Sequence, residues 1–228
     1  MFDALFTTTT EYKKLSHALS GKGACALFGL PASGRAQVYA ALCRQLDKPL
    51  CIVTPGEAEA TRFAADLNTL GIPAAVFPAR DYVLRPIEGT AREYEYRRLA
   101  VLGELVGGRL RAVAVPAEAL TQFTTPKEDF CANTRTLHAG DTLLRDDLLA
   151  ALFGAGYTRR AQVDGPGQFS VRGDIVDIFA PDQKMPVRME FWGDEIDTLH
   201  TFDLTTQRRE DAIDKFYLSP AREVLFGK

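Results

Sequence analysis

The chain has 228 residues, 46% of them hydrophobic and 25% charged, which supplies apolar material for a packed core and the composition of a globular protein. Its formal net charge of −3 excludes the strongly basic balance of a stand-alone nucleic-acid-binding domain. No apolar run approaches the roughly 20 residues that span a bilayer, and the opening MFDALFTTTTEYKK lacks the basic and apolar regions of a secretory signal, so a cytoplasmic protein with no membrane contact is expected.

In chain order, ACALFGL (24–30) reads as a buried strand and AQVYAALCRQL (36–46) as a helix. PLCIVTP (49–55) is the next strand, and EAEATRFAADLNTLG (57–71) a helix closed by Gly71. AAVFP (74–78) is a third strand, EYEYRRLAVLGELVGG (93–108) a helix ended by Gly107 and Gly108, and LRAVAVP (110–116) a fourth strand. Continuous apolar strands alternating with helices predict an α/β fold, a P-loop-like parallel sheet with helices on both faces.

From about Glu128 the pattern changes. RDDLLAALFGAGY (145–157) reads as a helix, and FSVRGDIVDIFAP (169–181) and PVRMEFWGDEIDTLHTFD (186–203) as two paired strands joined by a turn near Pro181–Lys184. In the second, Val187, Met189 and Phe191 alternate with Arg188, Glu190 and Trp192, so one face packs inward. This predicts a smaller mixed α+β domain with antiparallel strands. Charge separates the halves too: residues 1–127 carry 15 basic and 12 acidic side chains, residues 128–228 carry 12 and 18. The expected divisions are 1–127, 128–217 and a return segment, 218–228.

Four features could carry chemistry. GLPASGRA (29–36) has the spacing of a phosphate-binding loop: Gly29 and Gly34 keep its glycines, but Arg35 stands at the lysine position and Ala36 at that of the hydroxyl residue. Arginine's planar fork does not replace a compact ammonium, alanine cannot hold Mg²⁺, and Ser33 does not fill the vacancy. A structural relic is expected, with weak nucleotide binding as the alternative. Asp194-Glu195 reads as a turn, not as an acidic metal partner. Cys25, Cys43, Cys51 and Cys131 are scattered, and His17, His138 and His200 lie far apart, so no metal site is expected, and Cys25 and Cys51 read as buried thiols within strands.

The arginines from Arg80 to Arg111, among them Arg85, Arg92, Arg97, Arg98 and Arg109, fit a solvated helix face salted with Glu93, Glu95 and Glu104; contact with nucleic-acid phosphates is the other reading. Arg172, Arg188 and Trp192 have the composition of a protein-binding hot spot. The alternatives are a Trp192 covered by the preceding helix, or a surface cation–π pair.

RGDIVDIF, then R-M-E-F-W-G-D-E-I, then FDLTTQRR resemble the UvrB-homologous N-terminal module of the bacterial transcription-repair coupling factor family (Mfd). UvrB resembles the same segment, but its phosphate loop is intact and a long hairpin follows its third strand; here about fifteen residues separate Phe77 from the helix near Glu93. The resemblance implies a domain 1 with a non-functional nucleotide site and a domain 2 that binds UvrA. By matching position it implies UvrA contacts for Arg172, Arg188, the aromatic at Trp192 (often Phe in the family) and Arg159. It implies no cofactor for this chain; ATP, Mg²⁺, DNA and RNA polymerase engage parts of the family's proteins beyond it, and another domain masks the UvrA surface until needed. LSPAREVLF (218–226) resembles a return toward domain 1. The expected function is a non-catalytic module that recruits UvrA to stalled RNA polymerase, the alternative a UvrB-like helicase fragment with weak nucleotide or DNA binding.

Overall fold

Helices and short apolar strands follow in chain order as α1 (Thr10–Ser20), α2 (Ala32–Gln45), β1 (Leu50–Thr54), α3 (Glu57–Thr69), β2 (Ala74–Val76), α4 (Glu93–Val106), β3 (Ala112–Pro116), α5 (Ala117–Leu120) and α6 (Lys127–Ala132). Then come β4 (Arg135–His138), α7 (Arg145–Gly154), β5 (Thr158–Arg159), β6 (Gln168–Arg172), β7 (Ile175–Phe179), β8 (Val187–Trp192), β9 (Glu195–Phe202), β10 (Arg209–Ala212) and β11 (Lys215–Leu218). The computed structural model describes residues 7–21, 24–46, 48–80 and 92–223. By internal contacts the chain forms two units, Met1–Ala79 with Gly107–Thr121, and Arg80–Val106 with Gln122–Lys228.

In the first unit, β1, β3 and β2 lie side by side in that order, all parallel, with Ile52 and Val76 flanking Ala114. Ala60, Phe63, Ala64 and Leu67 of α3 and Ala36, Ala40 and Cys43 of α2 pack with Ile52, Ala112 and Ala114. Alanines at the two β3 positions leave room for Phe63 and Leu67 above the sheet. Gly71, at φ +75, ends α3 as expected: the Gly71 amide donates to the Asn68 carbonyl (3.0 Å) and the Ile72 amide to that of Leu67 (2.9 Å).

One expected strand is absent. Residues 24–30 form no ladder; Leu27 and Phe28 are 46% and 88% exposed, and Cys25 is exposed. An apolar run becomes a strand only when a sheet edge takes up its backbone groups, and residues 24–30 join neither the outer edge of β1 nor that of β2. Cys51 is exposed as well, because β1 alternates: Ile52 and Thr54 are buried, Cys51 and Val53 are not.

The second unit is built on a six-stranded sheet, β10-β9-β8-β7-β6-β5, antiparallel except for the β5–β6 pair. Each stretch read as one strand folds back on itself. Gly173 (φ +60) turns β6 into β7 and Gly193 (φ +63) turns β8 into β9; each occupies the first central position, where a two-residue hairpin loop of the II′ type needs glycine. Leu148 and Leu152 of α7 share one core with Phe169, Val176, Ile178, Met189, Ile196 and Leu199.

Helix α4 also belongs to this unit, through its charge. Arg98, completely buried, donates to Glu223 from Nε (2.8 Å) and Nη2 (2.8 Å), to Gln122 Oε1 and to Thr124 Oγ1. Glu223, equally buried, also accepts from Arg80 Nε at 3.0 Å, and its amide donates to Glu95. Arg98 is therefore no solvated arginine, and neither it nor Arg80 is available to a phosphate backbone. Arg97 lies over the Tyr94 ring, and Arg85 falls outside the described residues.

Removing one partner of a buried pair strands the other's charge. Arg98→Ala should therefore lower stability by about 3–5 kcal/mol, read as the shift of a urea unfolding midpoint. Tyr157, fully buried and donating to the Ser219 carbonyl at 2.7 Å, is held well above the usual tyrosine range, by burial first and then by the nearby Asp182 carboxylate. Its folded pKa is raised, so its contribution is complete below about pH 10 and fades as pH rises beyond that. Tyr157→Phe should lessen the alkaline loss of stability.

Candidate docking surface

The hairpin registers decide which side chains meet. With Gly173 and Asp174 at the turn, Ser170 falls opposite Asp177; the next pairings set Arg188 opposite Asp177 and His200 opposite Arg188. Ser170, Asp177, Arg188 and His200 thus form a polar row across four strands, on the side away from Val176, Ile178 and Met189.

Asp177 is the centre of that row. Its side chain is 1% exposed, and a carboxylate so enclosed must be neutralised in place. Arg188 does this with two bonds, Nε to Oδ1 (2.7 Å) and Nη2 to Oδ2 (2.9 Å), the bidentate geometry that suits a guanidinium. The bond to Asp177 raises the Arg188 pKa above the arginine range, more than burial lowers it. The guanidinium also lies 4.8 Å from the centre of the Phe202 ring.

The FDLTTQRR segment supplies the rest of the Arg188 environment. Asp203 Oδ1 accepts the Thr206 (2.7 Å) and Thr205 (3.1 Å) amides, which hold its carboxyl below the usual range, the Thr206 bond most. Gln207 takes φ +58, its side chain donates to the Leu204 carbonyl, and its own carbonyl accepts from Arg188 Nη1 at 3.3 Å. Val163, Phe179, Phe202 and Leu204 form a small apolar cluster alongside.

Arg172 reaches the same carboxylate from outside: Nη2 donates to Asp177 Oδ2 at 2.9 Å while half of its side chain stays exposed. At the end of β8, on the same side as Arg188 and Glu190, Trp192 is 83% exposed and no helix covers it. Glu190 is paired with Arg209 of β10. Arg172, Arg188 and Trp192 thus share one face, but Arg188 is its interior and the other two its surface. Arg159 is not gathered with them: it is exposed, in register with Phe169, whose side chain belongs to the opposite, core side.

The glycine-spaced segment of the first unit is a helix start. Gly29 has φ +83, Pro31 caps α2, and the Gly34 and Arg35 amides both donate to the Pro31 carbonyl, at 2.9 and 3.2 Å. Ala36 is buried in the core; Arg35 faces Glu59 at 3.8 Å; the Ser33 side chain lies outside the described residues. Among the described residues, no three His, Cys, Asp or Glu side chains cluster to hold a metal ion, and no helix is long and apolar enough to cross a membrane.

Residues 136–224 match the model of the UvrB interaction domain family. The chain is 28% identical over 201 residues to the transcription-repair-coupling factor of Bacillus subtilis, a match that spans 87% of this chain and 17% of that protein. It is 35% identical over 208 residues to the transcription-repair-coupling factor of Myxococcus xanthus, with 86% and 17% covered. The UvrABC system protein B of Chlorobium limicola is 28% identical over 217 residues, with 89% and 32% covered. The chain thus spans about a sixth of the length of the coupling factors it matches.

The two arginines on Asp177 should respond differently to truncation. Arg188→Ala leaves a buried carboxylate without its main partner and should cost about 3–5 kcal/mol. Arg172→Ala, at a half-exposed pair, should cost under about 1 kcal/mol. Chemical denaturation of the two variants checks the contrast.

Proposed function

We propose, for a chain whose residues 136–224 belong to the UvrB interaction domain family and which corresponds to the N-terminal UvrB-like region of transcription-repair-coupling factors, a docking role without catalysis. Its docking domain, placed at 128–217, binds UvrA and so brings excision repair to a stalled RNA polymerase; motor activity, ATP, DNA and polymerase contacts belong to the remaining length of such proteins. The observation that carries the reading is an 83% exposed tryptophan and a half-exposed arginine on one sheet face. Tryptophan brings large apolar area at low entropic cost, and arginine makes paired, charge-assisted bonds to carboxylates. The partner patch is therefore acidic at its edge and apolar at its centre.

Nucleotide hydrolysis has no support in the geometry of residues 29–36. Two amides that a phosphate cradle would present are spent on Pro31, Arg35 faces Glu59, and Ala36 is core. We read the segment as a phosphate loop that has become a helix start.

Binding of purified UvrA to the 228-residue chain, measured by calorimetry, tests the reading. Trp192→Ala and Arg172→Ala should each weaken binding by about 2 kcal/mol or more, roughly thirtyfold, with the fold intact. Unchanged affinity in both variants would contradict the assignment.

A further inference from the structure

Resting on the docking reading, we infer that Asp177 is the positioning residue of this surface: it touches no partner itself but holds the Arg172 guanidinium in the orientation that docking needs, while Arg188 serves as its internal counter-charge. A free arginine on a strand end samples many rotamers and loses that freedom on binding. Here Arg172 Nη2 is fixed at 2.9 Å on Asp177 Oδ2, and half the side chain is still open to a partner. The planar fork, once one Nη is tethered, directs its other donors in a set plane.

The same carboxylate cannot be supplied from the surface. Asp177 is 1% exposed, and Arg188 donates to both of its oxygens. Arg188 is only 11% exposed along its side chain and spends Nε, Nη1 and Nη2 on Asp177 and the Gln207 carbonyl. That leaves it poorly placed to contact a partner and well placed as the internal partner of Asp177. The two arginines therefore have separate tasks, although each bonds to one aspartate.

The test removes the buried charge as a neutral pair, so that no uncompensated ion remains: Asp177→Asn with Arg188→Gln, compared with Arg172→Ala and with the triple variant, each titrated with UvrA. Loss of the tether should weaken binding about tenfold in the neutral-pair variant, and the triple variant should bind no more weakly than Arg172→Ala alone, within about twofold. Full affinity in the neutral-pair variant would show that Asp177 matters only to folding, and independent, multiplying losses would show that Arg188 contacts the partner; either overturns the inference. The unmutated chain gives a second readout: the Arg172 Nε–H order parameter should be that of a held side chain, and a value below about 0.6 overturns the inference whatever the variants do. If Arg172→Ala and Trp192→Ala both bind like the unmutated chain, the docking reading has failed; if they weaken binding while the neutral pair does not, only this inference has.

Discussion

A carboxylate with almost no access to water sits in the middle of a sheet face, and the second unit is arranged around neutralising it. Burying Asp177 alone would cost several kcal/mol, so the pairing that sets Arg188 directly across β7–β8 is a requirement. A one-residue slip of either hairpin would turn Asp177 into the apolar core and separate it from Arg188. The glycine turns, the row Ser170–Asp177–Arg188–His200 and the Gln207 cap on Arg188 all serve that register. What reaches solvent from the arrangement is small: half of one arginine, and a tryptophan.

The same device recurs within the second unit. Arg98 and Glu223, neither with any exposure, tie α4 to the segment that ends the described chain. Buried ion pairs rarely gain stability over apolar packing, but they penalise every arrangement that separates them. The described core of the first unit is apolar, with alanines, Phe63, Leu67, Ile52 and Ile72 between two helices and a three-stranded sheet.

Most of the architecture was legible in the sequence because it rests on periodicity. The helices of 57–71 and 145–157 end at Gly71 and Gly156, both with positive φ, and the parallel pairing of LCIVT with AVAVP follows from apolar runs separated by helices. Three features were not legible. ACALFGL has the composition of a strand, but composition does not say whether the run joins a sheet. RGDI reads as strand interior, and the turn at Asp194-Glu195 does not by itself divide its stretch into two strands, although both Gly-Asp pairs mark hairpins; taking them as hairpin turns fixes the register and sets Asp177 opposite Ser170. Arg98 looks like any surface arginine on an acidic helix, because its partner, Glu223, lies 125 residues away. Within the candidate face, spacing and resemblance point to Arg172, Arg188 and Trp192, but only the fold separates the buried arginine from the exposed one.

Amide hydrogen exchange of the chain, free and with UvrA bound, tests the central claim most directly. The account predicts new protection at the two hairpin tips, residues 172–175 and 192–195, with the amides of 24–36 unchanged. Protection confined to 24–36, with the hairpin tips exchanging as in the free chain, would contradict it and move the binding surface to the first unit.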